Sequence, residues 1–257
     1  MVMSPPPARP IALVTGVGRV AGIGAAVAVR LATDGWDVAT SYWAPYDERM
    51  PWGAGPDDVD SVAEAVRAAG ARTVPVADDL SDVEAPGRVL DVVHSELGPV
   101  TALVMCHCES VNSGLLDTTV ESFDRHFAVN VRATWLLIRE FAERLSAVDG
   151  SGRILAMTSD HSVGNLPYGA TKGAMDRVVL ASARELAHLR VTANVVNPGP
   201  VDTGWIDDEL RQAIVAQSPF GRVGRPADTA ALVSFLCSAE GGWVNGQLLH
   251  SDGGLHT

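Results

Sequence analysis

The chain has 257 residues, of which 47% are hydrophobic and 19% are charged, a composition typical of a globular protein and unlike that of a disordered or collagen-like one. Its 19 Lys and Arg against 31 Asp and Glu give a formal net charge of -12, which disfavours binding to nucleic acid and to anionic membranes. The three cysteines are too few for a secreted disulfide framework and predict a reducing, cytoplasmic location.

The first ten residues contain four prolines and no apolar run, so residues 1–10 are expected to form a flexible arm and not a signal peptide. The most apolar stretch, residues 20–29, ends at Arg30 and is too short to cross a bilayer, so no membrane contact is expected. Neither a repeat nor a linker interrupts the remaining chain. Residues 11–257 are therefore expected to form a single domain.

Short β-branched apolar runs alternate with longer helical patterns along the chain. Six of these runs predict buried strands, at 11–15, 38–42, 73–76, 102–106, 154–157 and 191–196. Because strand and helix alternate, we expect an α/β fold: a single Rossmann-type, doubly wound parallel sheet of about seven strands with helices on both faces.

Two capping-box patterns mark the expected starts of helices. Ser81 with Glu84, and Thr118 with Glu121, place a hydroxyl and a carboxylate where each can bond a free amide of a first helical turn. The helices predicted from these caps cover 82–97 and 119–146.

Gly70 stands where a helix that begins near Asp57 should end, at a position that favours left-handed backbone. The segment that precedes this helix, residues 43–56, holds three prolines and two glycines and predicts a long ordered loop. Its aromatic residues Trp43 and Trp52 are expected to fasten the loop rather than to bind a ligand.

A glycine-rich segment, residues 15–24, stands between the first strand and the first helix. Glycines in this position let the backbone approach a pyrophosphate, and the helix N-terminus offers free amides and the positive end of a dipole. We therefore expect a bound dinucleotide. Its expected contacts in this segment are Gly16, Gly18, Arg19, Gly22 and Ile23.

The end of the second strand indicates which dinucleotide is favoured. An acidic side chain there would bind a free ribose 2′-hydroxyl, but residues 40–43 are Thr, Ser, Tyr and Trp, and Asp37 falls at the start of the strand. Arg19 can pair bidentately with a 2′-phosphate. The sequence thus favours NADP(H), with NAD(H) as the alternative.

Tyr168 and Lys172 are four residues apart, a spacing that places both side chains on one face of a helix. A positive charge beside a phenol lowers its pKa, so Tyr168 is expected to exchange protons near neutral pH. The pair follows Thr158 and Ser159 at the end of a buried strand, where α/β folds place their ligands.

With these residues in view, the chain resembles the short-chain dehydrogenase/reductase family from Ile11 to Gly254. Its ending, residues 246–254, is most similar to the β-ketoacyl carrier-protein reductase type. The matching pieces are the glycine-rich opening, Asp79-Leu80, Asn130, Ser159, the Tyr168 and Lys172 pair, and residues 197–203.

The resemblance implies a role for each matched residue. Tyr168 would protonate the carbonyl oxygen as hydride reaches the carbon, and Ser159 would hold that oxygen. Lys172 would lower the tyrosine pKa and bind the nicotinamide ribose, while Asn130 would hold a water that links Lys172 to solvent. The remaining cofactor contacts would come from Asp79 and Leu80 at the adenine, and from Pro198, Gly199, Val201 and Thr203 at the nicotinamide end.

Three features depart from the family pattern. Five residues separate Gly16 from Gly22, where the family usually has three, and residues 105–108, Met-Cys-His-Cys, replace the usual Asn-Asn-Ala-Gly. The stretch between Ser159 and Tyr168 is also shorter than usual, which makes Ser162 a conceivable substitute for Ser159.

Two other chemistries are not expected. Cys106-His107-Cys108 contains zinc-ligand residue types, but adjacent strand residues point to opposite faces and no second ligand pair with zinc-like spacing occurs, so no metal is expected. His161 lies close to Ser159 without the Gly-x-Ser-x-Gly elbow of a serine hydrolase. It is expected to be a loop residue near the substrate entrance.

The resemblance further implies a substrate loop over 198–224 and a homotetramer or homodimer, with the helix face over 119–146 as a dimer surface. The expected function is NADP(H)-dependent reduction of a ketone, or of a β-keto ester or thioester, to an alcohol, as in 3-oxoacyl-(acyl-carrier-protein) reductases. The alternatives are an NAD-dependent alcohol or sugar dehydrogenase and a dinucleotide-binding sensor without catalysis.

Overall fold

The computed structural model of the chain describes residues 9–145 and 152–256. The strands are β1 (Ile11–Thr15), β2 (Asp37–Tyr42), β3 (Thr73–Ala77), β4 (Ala102–Met105), β5 (Arg153–Met157), β6 (Thr192–Asn197) and β7 (Leu248–His250). The α-helices are α1 (Ile23–Thr33), α2 (Ala44–Glu48), α3 (Asp58–Ala68), α4 (Ala85–Glu96), α5 (Val120–His126), α6 (Ala133–Arg144), α7 (Leu166–Glu185), α8 (Asp208–Gln217) and α9 (Pro226–Cys237). A π-helical segment, Phe127–Arg132, joins α5 to α6.

The strands form one parallel sheet in the order β3-β2-β1-β4-β5-β6-β7. The chain builds outward from β1 to β3 and then returns to the other side of β1 at β4. In open α/β sheets, ligands bind at this switch point, in the crevice outside the carboxyl ends of the strands. The expected fold class, a doubly wound parallel sheet with helices on both faces, is confirmed.

Both faces of the central strands are buried, which explains why β1, β4 and β5 are mostly apolar. Successive residues of β1 enter different cores. Ile11 and Leu13 pack in a core shared with α4, α6 and α7, whereas Ala12 and Val14 pack in a core shared with α1, α3 and α9. The carboxyl end of β1 is therefore fixed from both sides.

The predicted N-terminal arm lies mostly outside the described residues, which begin at Arg9. Arg9 Nε donates a hydrogen bond to Gly35 O at 3.0 Å, and the Pro10 carbonyl accepts one from Asp37 N at 2.9 Å. The predicted arm boundary at residue 10 is wrong, because these two residues are already attached to the start of β2.

Helix α4 begins at Ala85, later than the capping pattern predicts. The amides of Ser81 and Glu84 donate instead to the carboxylates of Asp79 and Asp82, at 2.9 and 3.1 Å, and form turns ahead of the helix. The first regular turn then starts next to Pro86, which is favoured at that position.

The predicted single helix over 119–146 is interrupted. Its cap is Thr119, whose hydroxyl accepts from Ser122 N at 3.1 Å, and not Thr118, whose hydroxyl donates to Gly114 O. The π-helical segment then separates α5 from α6, and α6 ends at Arg144. Residue 146 lies outside the described residues.

The segment 43–56 differs from the predicted loop, since it contains the short helix α2 with Pro45 in its first turn. The end of α3 is as predicted: Gly70 follows it with φ +79° and donates its amide to Arg67 O at 2.8 Å. Among the described residues, no helix combines the length and apolar character that crossing a membrane requires.

Candidate active site

A cavity of about 760 Å³ lies at the carboxyl ends of the strands, over the switch point between β1 and β4. The segments that follow β1 to β6 all contribute to its walls. Every residue that the sequence assigns to cofactor or substrate lines this cavity, with the exception of Asn130.

The glycine loop packs tightly against the segment after β4. Gly16 has φ +73°, and a Cβ on it would lie 2.5 Å from His107 N. A Cβ on Gly24 would lie 2.9 Å from Gly16 O. Helix α1 is capped by Gly22 with no side chain bonded to its first amides, so these amides and the positive dipole end are available to a pyrophosphate. The loop therefore fits a dinucleotide.

Arg19 lines the cavity, but its guanidinium already has partners. Its Nε pairs with Asp47 Oδ1 at 2.9 Å, Nη1 donates to Thr203 O at 2.7 Å, and the guanidinium carbon lies 4.4 Å from the ring centre of Trp52. Trp52 Nε1 donates to Asp47 Oδ1 at 2.9 Å, and its ring centroid is 4.5 Å from that of Trp205. We call these five residues the Arg19 clasp.

The clasp joins the glycine loop, the 43–56 segment and the start of the 198–224 segment. Trp52 fastens its loop as predicted, whereas Trp43 lines the cavity. The sequence suggests that Arg19 is free to bind a phosphate. In the structure its guanidinium instead contacts the Asp47 carboxylate, the Thr203 carbonyl and the face of the Trp52 ring.

The acids near the expected ribose site are all engaged. Asp37 is buried at the amino end of β2, away from the cavity, where its oxygens accept from Arg72 N at 2.9 Å and Arg72 Nε at 2.7 Å. Three acids that line the cavity near this site each face an arginine: Asp47 faces Arg19, Asp78 faces Arg88, and Asp79 faces Arg125. These pairs reduce the repulsion that a phosphate would meet at the rim.

His107 is a buried cross-link below the cavity. Its Nε2 lies 3.2 Å from Val129 O and must donate, because a carbonyl only accepts. Its Nδ1 then accepts from the Thr15 hydroxyl at 2.7 Å. Burial, with a smaller contribution from the charge of Lys172, lowers the pKa of His107 to about 3, so the ring is neutral. The imidazole thus joins the end of β1 to the π-helical segment.

Asn130 lies in the π-helical segment and is buried behind the cavity wall. Its Oδ1 accepts from Glu109 N at 2.7 Å, and its Nδ2 donates to Glu109 O and to Thr171 Oγ1, both at 2.9 Å. These bonds use both amide hydrogens. In the structure, the side chain therefore ties the segment after β4 to α7, and π-helical turns of this kind are frequent at functional sites.

Tyr168 and Lys172 share a face of α7, as their spacing predicts. The Lys172 Nζ lies 5.5 Å from the centre of the Tyr168 ring and donates to Met157 O, the last residue of β5, at 2.7 Å. Lys172 is buried. Because its ammonium is anchored to the sheet, its position relative to the phenol is fixed.

Ser159 and not Ser162 faces the cavity. The Ser159 hydroxyl accepts from His161 N at 3.1 Å. Ser162 packs on α7, where a Cβ on Gly169 would lie 2.6 Å from its Cα. His161 lines the cavity as an exposed loop residue, which agrees with its predicted place near the entrance.

Burial raises the pKa of Tyr168 above its ordinary value, and hydrogen bonding to Ser159 opposes this effect. Burial likewise lowers the pKa of Lys172. The predicted lowering of the tyrosine pKa by Lys172 is therefore not the dominant effect, because desolvation penalises the phenolate more. The phenol carries its proton at neutral pH, and this is the form that can donate it.

The segment after β6 forms the other end of the cavity. Gly199 has φ +62°, and a Cβ on it would lie 2.5 Å from Asp252 Cβ. Its amide donates to Asn197 Oδ1 at 3.1 Å. The predicted substrate loop that follows contains α8. Its apolar side chains Trp205, Ile206, Leu210 and Ile214 line the cavity.

Several cavity residues escaped the sequence analysis, among them Tyr46 and Glu109. Tyr46, on α2, lines the cavity with a buried hydroxyl that has no hydrogen-bond partner among the described residues, and burial raises its pKa. Glu109 is buried, pairs with Arg49, and accepts from Arg125 Nε at 3.1 Å. The sequence offers one signal for Tyr46, which is a tyrosine in a proline-rich segment next to the second strand. A loop is the simpler interpretation of that segment.

Comparison with known proteins agrees with this arrangement. A family model described as enoyl-(acyl carrier protein) reductase matches residues 16–256. An uncharacterized oxidoreductase, YjdA, of Bacillus subtilis is 35% identical over 250 residues, which cover 95% of this chain and 96% of the relative. An NADPH-dependent aldehyde reductase-like chloroplastic protein of Arabidopsis thaliana is 35% identical over 266 residues, which cover 97% and 95%.

Among solved structures, a short-chain dehydrogenase from Burkholderia cenocepacia in complex with NADP superposes with a TM-score of 0.85 at 31% identity, covering 96% of this chain and 97% of the other. The relatives and the solved structure match nearly the whole length of the chain, and the family model all but its first residues. This chain therefore belongs to the short-chain dehydrogenase/reductase family of oxidoreductases.

Proposed function

We propose that this chain is an NADP(H)-dependent reductase that converts a carbonyl group, in a ketone or in a β-keto ester or thioester, to an alcohol. The observation that carries the proposal is the convergence of Ser159, Tyr168 and Lys172 on one cavity, opposite a glycine loop that fits a dinucleotide. A nicotinamide dinucleotide supplies the hydride when it is bound.

The residues of the chain supply binding and proton transfer. Tyr168 is the general acid: its buried phenol holds the proton that the carbonyl oxygen takes up as that carbon is reduced. The Ser159 hydroxyl donates to the same oxygen and stabilises the charge that develops on it. Lys172, anchored at Met157 O, favours the phenolate that remains and orients the ribose. A proton relay through Asn130 stays a prediction.

NADP(H) is favoured over NAD(H) by the region around β2. Its carboxyl end offers Ser41 and Tyr42 and no acid to a ribose, while Asp37 is bonded to Arg72 at the other end. The arginines that face the rim acids lower the local negative charge. The NADPH-dependent relative and the NADP complex described above point in the same direction.

The substrate is proposed to be largely apolar. Trp205, Ile206, Leu210 and Ile214 give the cavity an apolar wall, and such walls bind hydrocarbon parts of a ligand while a few polar groups fix its orientation. An acyl thioester, as in 3-oxoacyl-(acyl-carrier-protein) reduction, fits this description, as does a hydrophobic ketone.

The test is consumption of NADPH, with NADH in parallel, against acetoacetyl thioesters, simple ketones and diketones, with Tyr168→Phe as control. We expect turnover that prefers NADPH and is lost in the variant. Preference for NADH would contradict the cofactor assignment. Tight NADPH binding without turnover of any carbonyl would favour a dinucleotide sensor over the reductase.

A homotetramer or homodimer is proposed, with the surface of α5 and α6 as one of its contacts. Val120 is 71% and Trp135 49% exposed, and Phe123 is also exposed on this surface. Apolar side chains of this size on a helix pair suit a self-complementary contact. Sedimentation analysis should show an oligomer that Trp135→Glu dissociates, and an unchanged oligomer would contradict the assignment of this face.

A further inference from the structure

A group of histidines and aspartates lies at the mouth of the cavity, outside the machinery described above. The chain after β7 turns back so that His256 approaches Asp160, which directly follows Ser159. One ligand atom from each of Asp160, His250 and His256 lies within 4.8 Å of the other two. The His256 Nε2 is 2.5 Å from Asp160 Oδ2, and the rings of His250 and His256 are 4.7 Å apart.

The group is held in place by its neighbours. Asp252, whose side chain is 6% exposed, accepts from His256 Nδ1 at 2.5 Å and from Gly254 N at 2.9 Å. Asn197 Nδ2 donates to Asp160 Oδ2 at 2.8 Å. A carboxylate on one imidazole nitrogen fixes the tautomer that leaves the other nitrogen free to bind a metal, and histidines that ligate metals almost always have such a partner.

The donor set has the chemistry of a zinc-type site. Two imidazoles and one carboxylate suit Zn²⁺ and related transition metals, whereas Mg²⁺ and Ca²⁺ prefer oxygen ligands alone. Zinc bonds of about 2.0–2.2 Å place donors roughly 3.3 Å apart, and the three ligand atoms here lie within 4.8 Å of one another.

A shared proton would explain only part of the group. One imidazolium between two carboxylates accounts for His256 with Asp160 and Asp252. It leaves His250 with a longer contact, 3.9 Å from its Nδ1 to Asp252 Oδ2, although its ring also lies against that of His256. A metal ion accounts for all four residues.

We propose that Asp160, His250 and His256 bind a divalent transition-metal ion of the zinc class, with Asp252 as the residue that positions His256. The site was not expected from the sequence, because Asp160 is about ninety residues before the two histidines and the three show no zinc-like spacing. Bound metal ties the C-terminal segment to the residue that follows Ser159. Three protein donors leave a fourth position for water or a substrate oxygen.

The experiment is a calorimetric titration of the chelator-treated full-length protein with ZnCl₂, and with MgCl₂ as a comparison ion. We expect one saturable zinc site and no comparable magnesium binding. Asp160→Asn, His250→Gln and His256→Gln should each weaken zinc binding by at least about 100-fold, and Asp252→Asn by about 10–100-fold. His188→Gln, at an exposed histidine far along the chain, is the matched control and should bind zinc as the unaltered protein does.

Circular dichroism of each variant checks that it is folded before its affinity is compared. Absence of saturable zinc binding would overturn the proposal, and so would His250→Gln that binds zinc unchanged. If zinc does not bind and His256→Gln lowers Tm while His250→Gln does not, the group is a proton-bridged pair instead. The titration needs no dinucleotide, so its outcome is independent of the proposed reductase activity.

Discussion

The two sides of the cavity are held in different ways. On the catalytic side, Asn130 and Lys172 are buried and bond to backbone atoms of the segments around β4 and β5. On the other side, the Arg19 clasp joins loop segments through an ion pair whose side chains are 16% and 10% exposed, a bond to Thr203 O, and Trp205, which is 38% exposed. Buried groups bonded next to the sheet are costly to displace, whereas contacts between loop segments can be lost locally.

This difference separates two tasks. The groups that touch the reacting atoms are fixed before any ligand arrives, which is the condition for electrostatic stabilisation of a transition state. The clasp can open without disturbing either core, which suits a segment that admits cofactor and releases product. Four changes test the comparison.

The largest effect is expected from Tyr168→Phe, which removes the proton donor and little else from the catalytic side. We expect kcat to fall by about 10²–10⁴-fold while the Kd for NADPH stays unchanged. Steady-state kinetics and a fluorescence titration measure the two quantities. A Tyr168 variant that keeps the kcat of the unaltered protein would contradict the assignment.

Asn130→Ala should damage the stability of the catalytic side. It leaves the amide and carbonyl of Glu109 without their side-chain partner, while the Thr171 hydroxyl keeps its bond to Pro167 O, and we expect unfolding to become easier by about 2–4 kcal/mol. Urea denaturation measures the change. The control is Asn112→Ala, at an exposed position, whose free energy of unfolding should stay within about 0.5 kcal/mol of that of the unaltered protein. If Asn130→Ala is as stable as the unaltered protein, these bonds contribute nothing.

Acidification should lower the stability of the catalytic side of the cavity through His107. Because the folded pKa of about 3 lies below the ordinary value, the unfolded chain binds the extra proton between these two pH values. Stability is therefore lost as the pH falls below about 6.5, with a contribution near 1.4 kcal/mol per unit. His107→Gln should reduce the slope of unfolding free energy against pH by about one proton, and His188→Gln should not. Identical slopes would contradict a buried neutral imidazole.

The smallest effect is expected from Arg19→Ala, which opens the clasp. Loss of the bridge should weaken NADPH and NADH binding by the same modest factor, about 3–10-fold. If Arg19 instead bound the 2′-phosphate, Arg19→Ala would weaken the binding of NADPH alone. Arg30→Ala on α1 is the matched control, and a loss confined to NADPH would restore the role that the sequence suggests.

Much of the fold could be predicted because the signals are local. The β-branched runs gave β1 with its bounds and five further strands to within one or two residues. β7 has three residues and no apolar run of its own. The helix α2 was hidden by prolines that favour loops in general but also suit a first helical turn.

The site was predictable where function fixes residue type and spacing, as for Tyr168 and Lys172. It was not predictable where a side chain had several possible partners. Arg19 is a plausible phosphate ligand until Asp47 and Thr203 are seen beside it. The cluster of His256 with Asp160 depends on where the chain end returns, which no local pattern encodes.

The π-helical segment has a consequence for how the length of this chain can vary. A π-helical turn holds one residue more than the α-helical path would need, and each α-helical residue turns the next by about 100°. Deleting one residue from 127–132 would rotate α6 relative to α5 and turn Leu137 and Phe141 out of their core. Single-residue insertions and deletions should therefore be excluded here among functional homologues, while the 43–56 segment, which is held by the clasp and by the Arg49–Glu109 pair outside both cores, should tolerate them.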